Sequence, residues 1–198
     1  MYHIGAIILA AGASTRMGQP KQLLKYQGTS LIRRITGIAI DVVHEPVVVV
    51  TGAYSDLISG ELKDLPARVV KNPDWTTGLA SSIHTGMTAF RTMAPQIGAL
   101  FFLVCDQPFV SAHLLREMIH SREKSGKPIV ACSYNDTLGT PVLISSMYFK
   151  ELLQLRLQEG AKKLIQRHQH AVHPVSFPDG HVDIDTVQDY LALQSKNY

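Results

Sequence analysis

The sequence predicts a three-layer α/β fold built on a mainly parallel sheet. Three observations carry that expectation. Short apolar runs rich in Val, Ile, Leu and Phe alternate along the chain with stretches of helical periodicity. Several runs are continuously apolar, as strands covered on both faces are. The chain's 198 residues are 45% hydrophobic and 18% charged, an ordinary globular balance, so residues 1–198 are expected to form one domain. With right-handed crossovers, ligands in such a fold bind outside the carboxyl ends of the strands, and the chemistry is expected there.

The elements follow in order. Residues 4–10 form the first strand, and a glycine-bearing loop follows it. A helix is expected at 30–40, then strands at 46–51 and 67–71. The helix at 79–93 places Leu79, Ile83, Met87 and Phe90 on one face. The run at 99–105 is the most apolar strand and ends before Pro108, which cannot continue a central ladder. A helix at 111–125, with Ser111 as its cap, leads to strands at 128–133 and 142–145. Helices at 147–157 and 161–167, a strand at 172–177 and a helix at 187–193 complete the chain.

Composition excludes several classes. Two cysteines, Cys105 and Cys132, make neither a disulfide framework nor a four-thiolate zinc site; both lie in apolar runs and read as buried free thiols. No apolar stretch reaches the ~18–20 residues that span a bilayer. The apolar N-terminal run lacks a basic segment before it and a small-residue cleavage site after it. A cytoplasmic protein without membrane contact is expected. The net charge of +3 is concentrated: residues 1–40 carry Arg16, Lys21, Lys25, Arg33 and Arg34 and no Asp or Glu, whereas the rest has 14 basic against 16 acidic side chains. That suits a polyanionic ligand near the N-terminus. There is no basic run or aromatic-rich basic patch, so a small phosphate ligand is expected and nucleic acid is not.

The loop from Leu9, Ala10, Ala11 and Gly12 to Arg16, Gly18 and Lys21 fits that ligand. Its small residues let the backbone approach a phosphate, Arg16 offers a planar fork of donors, and Lys21 offers a movable charge. Five residues separate Gly12 from Gly18, and Lys21 comes two residues late for a P-loop; G-x-G-x-x-G is absent as well. Asp106 follows the 99–105 strand directly, at the mouth of the crevice, where a magnesium ligand is useful; the bland alternative is a cap for the next helix. Near the C-terminus, Asp183 and Asp185 precede Thr186 and Asp189, where a helix cap is an equally simple reading. His168, His170 and His173 cluster loosely without a fourth ligand, and Glu123 and Lys124 read as solvated surface.

Leu-Ala-Ala-Gly-x-Ser-x-Arg-Met-Gly-x-x-Lys, followed by Gln22-Leu23-Leu24, resembles the signature loop of the MobA-like NTP transferases, and within them the molybdenum cofactor cytidylyltransferase type. The resemblance implies a Rossmann-like nucleotidyltransferase fold, a three-layer α/β/α arrangement with a predominantly parallel mixed sheet. It implies that Leu9, Ala10, Ala11, Gly12, Arg16 and Lys21 bind the nucleotide and that Arg16 and Lys21 neutralise its triphosphate. Asn72-x-x-Trp75-x-x-Gly78-x-x-x-Ser82 resembles a family segment in which Gly78 and Ser82 contact base or ribose; packing and stacking both remain open for Trp75. Asp106-Gln107-Pro108 and Asp183-x-Asp185-Thr186-x-x-Asp189-Tyr190 resemble the two segments that hold Mg2+, with Asp185 the best match and Asp183 its rival.

Three positions depart from the family pattern: Val187 replaces a usual Pro, Thr140 stands in Gly139-Thr140-Pro141 where His is common, and Lys162 replaces an acceptor-side Arg. The resemblance further implies CTP as donor and a phosphorylated, molybdopterin-type acceptor, with a molybdoenzyme or its maturation chaperone as a further partner. Ala11 marks the position where a glycine accompanies GTP and an alanine CTP. Alternatives are a sugar or polyol phosphate acceptor, and a non-catalytic nucleotide-binding accessory protein.

Overall fold

The computed structural model describes residues 3–43 and 46–195. Its strands are β1 (Ile4–Ala10), β2 (Lys25–Tyr26), β3 (Thr29–Ser30), β4 (Val47–Thr51), β5 (Ala67–Lys71), β6 (Ala99–Val104), β7 (Ile129–Tyr134), β8 (Thr137–Ser145) and β9 (Val172–Ser176). Its helices are α1 (Leu31–Val42), α2 (Ser55–Glu61), α3 (Leu79–Met93), α4 (Ala112–Ser125), α5 (Phe149–Leu152), α6 (Ala161–Arg167) and α7 (Val187–Ser195). Seven of the described strands form one sheet in the order β5-β4-β1-β6-β8-β7-β9. Only β8 runs antiparallel within it. The order turns around between β1 and β6, so a crevice opens beyond their carboxyl ends.

The continuous apolar runs are explained by two cores, one on each face of this sheet. Ala6, Ile8, Phe101 and Leu103 point to the face covered by Ile32, Ile35, Ile58, Leu115 and Met118 from α1, α2 and α4. Ile7, Leu100 and Phe102 point to the other, covered by Ile83, Met87, Phe90, Leu164 and Ile165 from α3 and α6. Each large side chain removed from water contributes roughly 1.5–3 kcal/mol, so the central strands β1 and β6, packed on both faces, are a rigid base for a site. A third cluster, of Met17, Leu24, Tyr26, Leu31, Ile184 and Leu193, ties the loop after β1 to the C-terminal segment. The Tyr190 hydroxyl and the Gln194 amide both donate to the Lys25 carbonyl, at 2.8 and 2.7 Å.

Four elements differ from expectation. The helix expected at 147–157 is a 3-10 turn, Ser146–Tyr148, followed by α5, which ends at Leu152. Its apolar pattern belongs to a chain that turns away: Leu157 has φ +51° and is 73% exposed. The strand expected at 142–145 begins at Thr137, paired with β7 through a turn at Asn135 and Asp136, both with positive φ. Helix α2 and the β2–β3 hairpin, too short for periodicity to show, also appear. Among the described residues no helix is long and apolar enough to cross a membrane.

Candidate active site

The loop after β1 is held from within. Gln22, 1% exposed, donates through its amide to the carbonyls of Ala10 (3.1 Å) and Gly12 (2.8 Å) and accepts from the Ser14 hydroxyl (3.3 Å). The Lys21 N–H in turn donates to the Ser14 hydroxyl oxygen, at 3.2 Å. From outside, the Ala53 N–H donates to the Ala11 carbonyl (3.2 Å) and the Tyr54 hydroxyl to the Ala13 carbonyl (2.9 Å). The loop is therefore pre-shaped, and its ordering entropy is lost on folding instead of on binding.

That shape aims Lys21 at the carboxyl end of β6. Its ammonium donates to Asp106 at 2.6 Å and to Asp185 at 2.7 Å. Arg16 donates to the second oxygen of Asp185 at 2.8 Å. The C-terminal segment reaches this point because the Ile184 N–H donates to the Asp106 carbonyl (3.0 Å) and the buried Gln107 amide to the Gly180 carbonyl (2.8 Å). Partial burial would lower the pKa of Lys21, but Asp106 and then Asp185 outweigh it and hold the ammonium above its ordinary value. The Lys21 hydrogen bond holds the Asp185 carboxyl below the usual range. Two carboxylates drawn toward one cation make a strongly polarised point at the crevice mouth.

The structure separates Asp185 from Asp183. Thr186 caps α7, accepting from the Asp189 N–H at 3.2 Å, and the Asp189 carboxylate accepts from the Thr186 and Asp185 N–H groups at 2.8 and 3.2 Å. The Asp185 side chain is thereby left to the cations, so capping and ion pairing coexist in one segment. Residues 182–186 are irregular, not the extended strand that would set both carboxylates on one side. Asp183 carries neither ion pair; though the residue is largely exposed, desolvation of its carboxyl against the site, then repulsion from Asp106 and Asp185, push it up to about 6.

A cleft of about 610 Å³ joins these groups to the β4 and α3 side; Leu9, Ala10, Ala11, Gly12, Gly78 and Ser82 all line it, as do Arg16, Lys21 and Asp106. Ala11 is 7% exposed and Ser82 4%, its hydroxyl accepting from the Asn72 amide at 3.1 Å. Gly78 sits at φ +127°, and a Cβ there would lie 2.4 Å from the Leu157 carbonyl oxygen. That carbonyl accepts from the Ala80 N–H, 3.0 Å away, at the start of α3. Gly78 is thus required by the approach of the loop after α5. The same approach brings Gln158 into the cleft. Gln22 and Gln158 line the cleft although sequence reasoning did not assign them to it, and Gly52 lies against the Ala11 carbonyl and Trp75 beside it. Gln22 stood within the quoted loop, and the other two gave no local signal.

Other candidates lie elsewhere. Arg33 pairs with Asp64 at 2.6 Å and Arg34 donates to the Pro108 carbonyl at 3.2 Å, so of the five N-terminal cations only Arg16 and Lys21 line the cleft. Lys162 is exposed on α6. His168 pairs with Glu151 at 2.7 Å and stacks at a tilt on Tyr148, and among the described residues no group of three His, Cys, Asp or Glu is arranged to hold a metal. Cys105 and Cys132 are buried, and burial pushes both thiols up to about 12, which makes them poor nucleophiles. An apolar cavity of about 500 Å³ at the far end of α3, lined by Phe90, Ile97, Leu100 and Phe149, has Arg91 as its one charged residue.

A glycine loop at the switch point, two cations and two facing carboxylates make a charged crevice where α/β folds of this kind take their ligands. The chain belongs to the MobA-like NTP transferase family, whose domain model matches residues 6–172. It is 33% identical, over 96% of each chain, to nicotine blue oxidoreductase of Paenarthrobacter nicotinovorans. It is 24% identical, over 99% of this chain and 98% of the other, to the molybdenum cofactor cytidylyltransferase of Escherichia coli strain K12. The crystal structure of Rv0371c from Mycobacterium tuberculosis H37Rv superposes with a TM-score of 0.83 at 27% identity, covering 98% of this chain and 99% of that one. A complex of Rv0371c with manganese superposes with a TM-score of 0.80 at 26% identity, with the same coverage.

Proposed function

We propose that residues 1–198 act as one Mg2+-dependent cytidylyltransferase domain, moving CMP from CTP to a phosphorylated, molybdopterin-type acceptor and releasing pyrophosphate. The observation that carries this reading is the Lys21 ammonium held between Asp106 and Asp185 beside the glycine loop. The donor set fits magnesium: one or two carboxylates suffice when phosphates and waters complete the shell, and Lys21, which here takes an oxygen of each carboxylate, would turn to the triphosphate as the ion enters. Asp106 and Asp185 would hold the ion, which supplies charge neutralisation at the α-phosphate.

An oxygen of the acceptor phosphate attacks the α-phosphorus in line, and the bond to the departing pyrophosphate breaks. That phosphate is ionised at neutral pH, so no side chain has to remove a proton, and none of the described groups around the cleft is arranged as a Ser/His/Asp or Cys/His relay. The loop amides position the triphosphate, and Arg16 and Lys21 stabilise the charge that builds on pyrophosphate. Ala11 supports a preference for CTP over GTP, one methyl group being worth ~1–3 kcal/mol. The protein would act in the cytoplasm, with a molybdoenzyme or its maturation chaperone as partner.

Pyrophosphate release in magnesium, with CTP and a molybdopterin-type acceptor against sugar and polyol phosphates, tests the reading; release only with a sugar or polyol phosphate reassigns the acceptor. Competition binding with CTP, GTP and ATP tests the base, and equal or tighter GTP binding rejects it. One observation favours a second reading, the 33% identity to nicotine blue oxidoreductase. Loss of the colour of nicotine blue on adding protein and a reductant, without pyrophosphate chemistry, would establish it instead.

A further inference from the structure

We infer that Trp75 forms the wall of the slot that receives the nucleobase and helps decide which base enters; this rests on the nucleotide-binding reading above. Trp75 opens the 3-10 turn Trp75–Thr77 between β5 and α3. The turn is stapled at its root. The Asp74 N–H donates to the Asn72 side-chain carbonyl at 2.9 Å, and the Asn72 amide donates to the Ser81 and Ser82 hydroxyl oxygens at 2.9 and 3.1 Å. Asn72 is itself buried, so the turn cannot swing without breaking buried hydrogen bonds.

From this anchored root the side chain crosses Gly52. A Cβ at Gly52 would lie 2.6 Å from Trp75 Cγ, 2.8 Å from Trp75 Cβ and 2.4 Å from the Ala11 carbonyl oxygen. Gly52 is therefore a spacer of zero thickness. Its bare Cα lets the Trp75 side chain and the Ala11 carbonyl close in on the same point, and the next residue, Ala53, locks that carbonyl with its N–H at 3.2 Å. Trp75 packs on Gly52, yet it is only half-buried and lines the same cleft as Ala11, Gly12 and Ser82. A large planar side chain that lines the cleft and cannot swing suits stacking on a flat heterocycle, and such a fixed wall bounds the room left for it. Arg16, Lys21 and Asp106 bring charge to the same cleft for the phosphates. The uncharged wall is left for the base.

Trp75 is the single tryptophan of the chain, so the wild-type protein reports on its own slot. Intrinsic emission is followed during titration with CTP, GTP and inorganic tripolyphosphate in magnesium, with calorimetry in parallel. CTP is expected to quench or shift the emission and tripolyphosphate to bind without doing so. Trp75→Leu, checked for an unchanged melting temperature, is expected to bind CTP ~10-fold more weakly, to keep its affinity for tripolyphosphate and to discriminate less between CTP and GTP. Trp75→Phe should restore most of the CTP affinity. The inference is overturned if calorimetrically bound CTP leaves the emission unchanged, if tripolyphosphate moves it equally, or if Trp75→Leu binds CTP as the wild type does. A wild-type protein that binds no nucleoside triphosphate overturns the proposed function, and this inference with it.

Discussion

At one end of the cleft, Arg16, Lys21, Asp106 and Asp185, drawn from three distant stretches of chain, are joined by ion pairs of 2.6–2.8 Å. At the other end, Trp75, Gly78 and Ser82 carry no charge; the Asn72 side chain ties down the turn and Ser82, and bare glycines at 52 and 78 admit the close approaches that shape this end. The first end works by the presence of side chains and the second largely by their absence. Charge acts over several ångströms and tolerates small shifts, whereas a close approach is lost with one methyl group. The two ends should therefore fail differently when mutated.

The largest effect is expected from Asp106→Asn, which keeps shape and removes a hard anionic oxygen. Turnover should fall ~10³-fold. Lys21 keeps its 2.7 Å partner Asp185. Stability should therefore drop by no more than about 2 kcal/mol. Pyrophosphate release and thermal melting measured together check this, and parallel collapse of both would mean a structural role. Lys21→Ala comes next, with a ~10²-fold loss of turnover and weaker binding of CTP and tripolyphosphate alike. Turnover at the wild-type rate would show that the charged end works without its bridging cation.

Gly78→Ala should reverse that pattern. The added Cβ meets the Leu157 carbonyl at a φ that L side chains rarely adopt. Melting should therefore fall by about 1–3 kcal/mol, and CTP affinity should drop while tripolyphosphate affinity is kept. Equal losses for both ligands would erase the distinction between the two ends. The smallest effect belongs to Asp183→Asn. The folded-state pKa of Asp183 lies above its ordinary value, so the wild type loses stability as pH rises from the ordinary carboxylate range through about 6. Asp183 is exposed enough for water to screen most of that loss. The Asn variant should be more stable above pH 6, by at most about 1 kcal/mol, and indistinguishable from wild type below the carboxylate range. Paired denaturation curves at the two pH values measure the difference, and a variant less stable above pH 6 would contradict the repulsion among Asp183, Asp106 and Asp185.

The charged end was legible in the chain because its residue types announce their chemistry. Arg16 and Lys21 stand in one loop at fixed spacing, and Asp106 closes an apolar run. Between Asp183 and Asp185 the chain alone left a choice, because both lie in one short polar stretch. Only the ion pairs of Asp185 with Lys21 and Arg16 separate them. Gly52 gave no local sign of its role, since a glycine after a strand is common and its reason lies in Trp75 and Ala11. The helix expected at 147–157 shows the same limit. Leu152 and Leu155 are buried as a helix face would be, but Leu157 adopts a left-handed backbone where its carbonyl meets the start of α3.

The sequence by itself determined the layered α/β fold, the parallel strands with their two apolar faces, and the loop that brings charge to the end of β1. Those follow from periodicity, composition and short-range spacing, which are properties of neighbours in the chain. Only the tertiary structure decided that Lys21 stands between Asp106 and Asp185, that Gly78 yields to Leu157, and that Trp75 rests on Gly52 beside Ala11. Each of these joins segments far apart in the chain, and its energy depends on a separation of a few ångströms that the packing of the two cores on β1 and β6 sets.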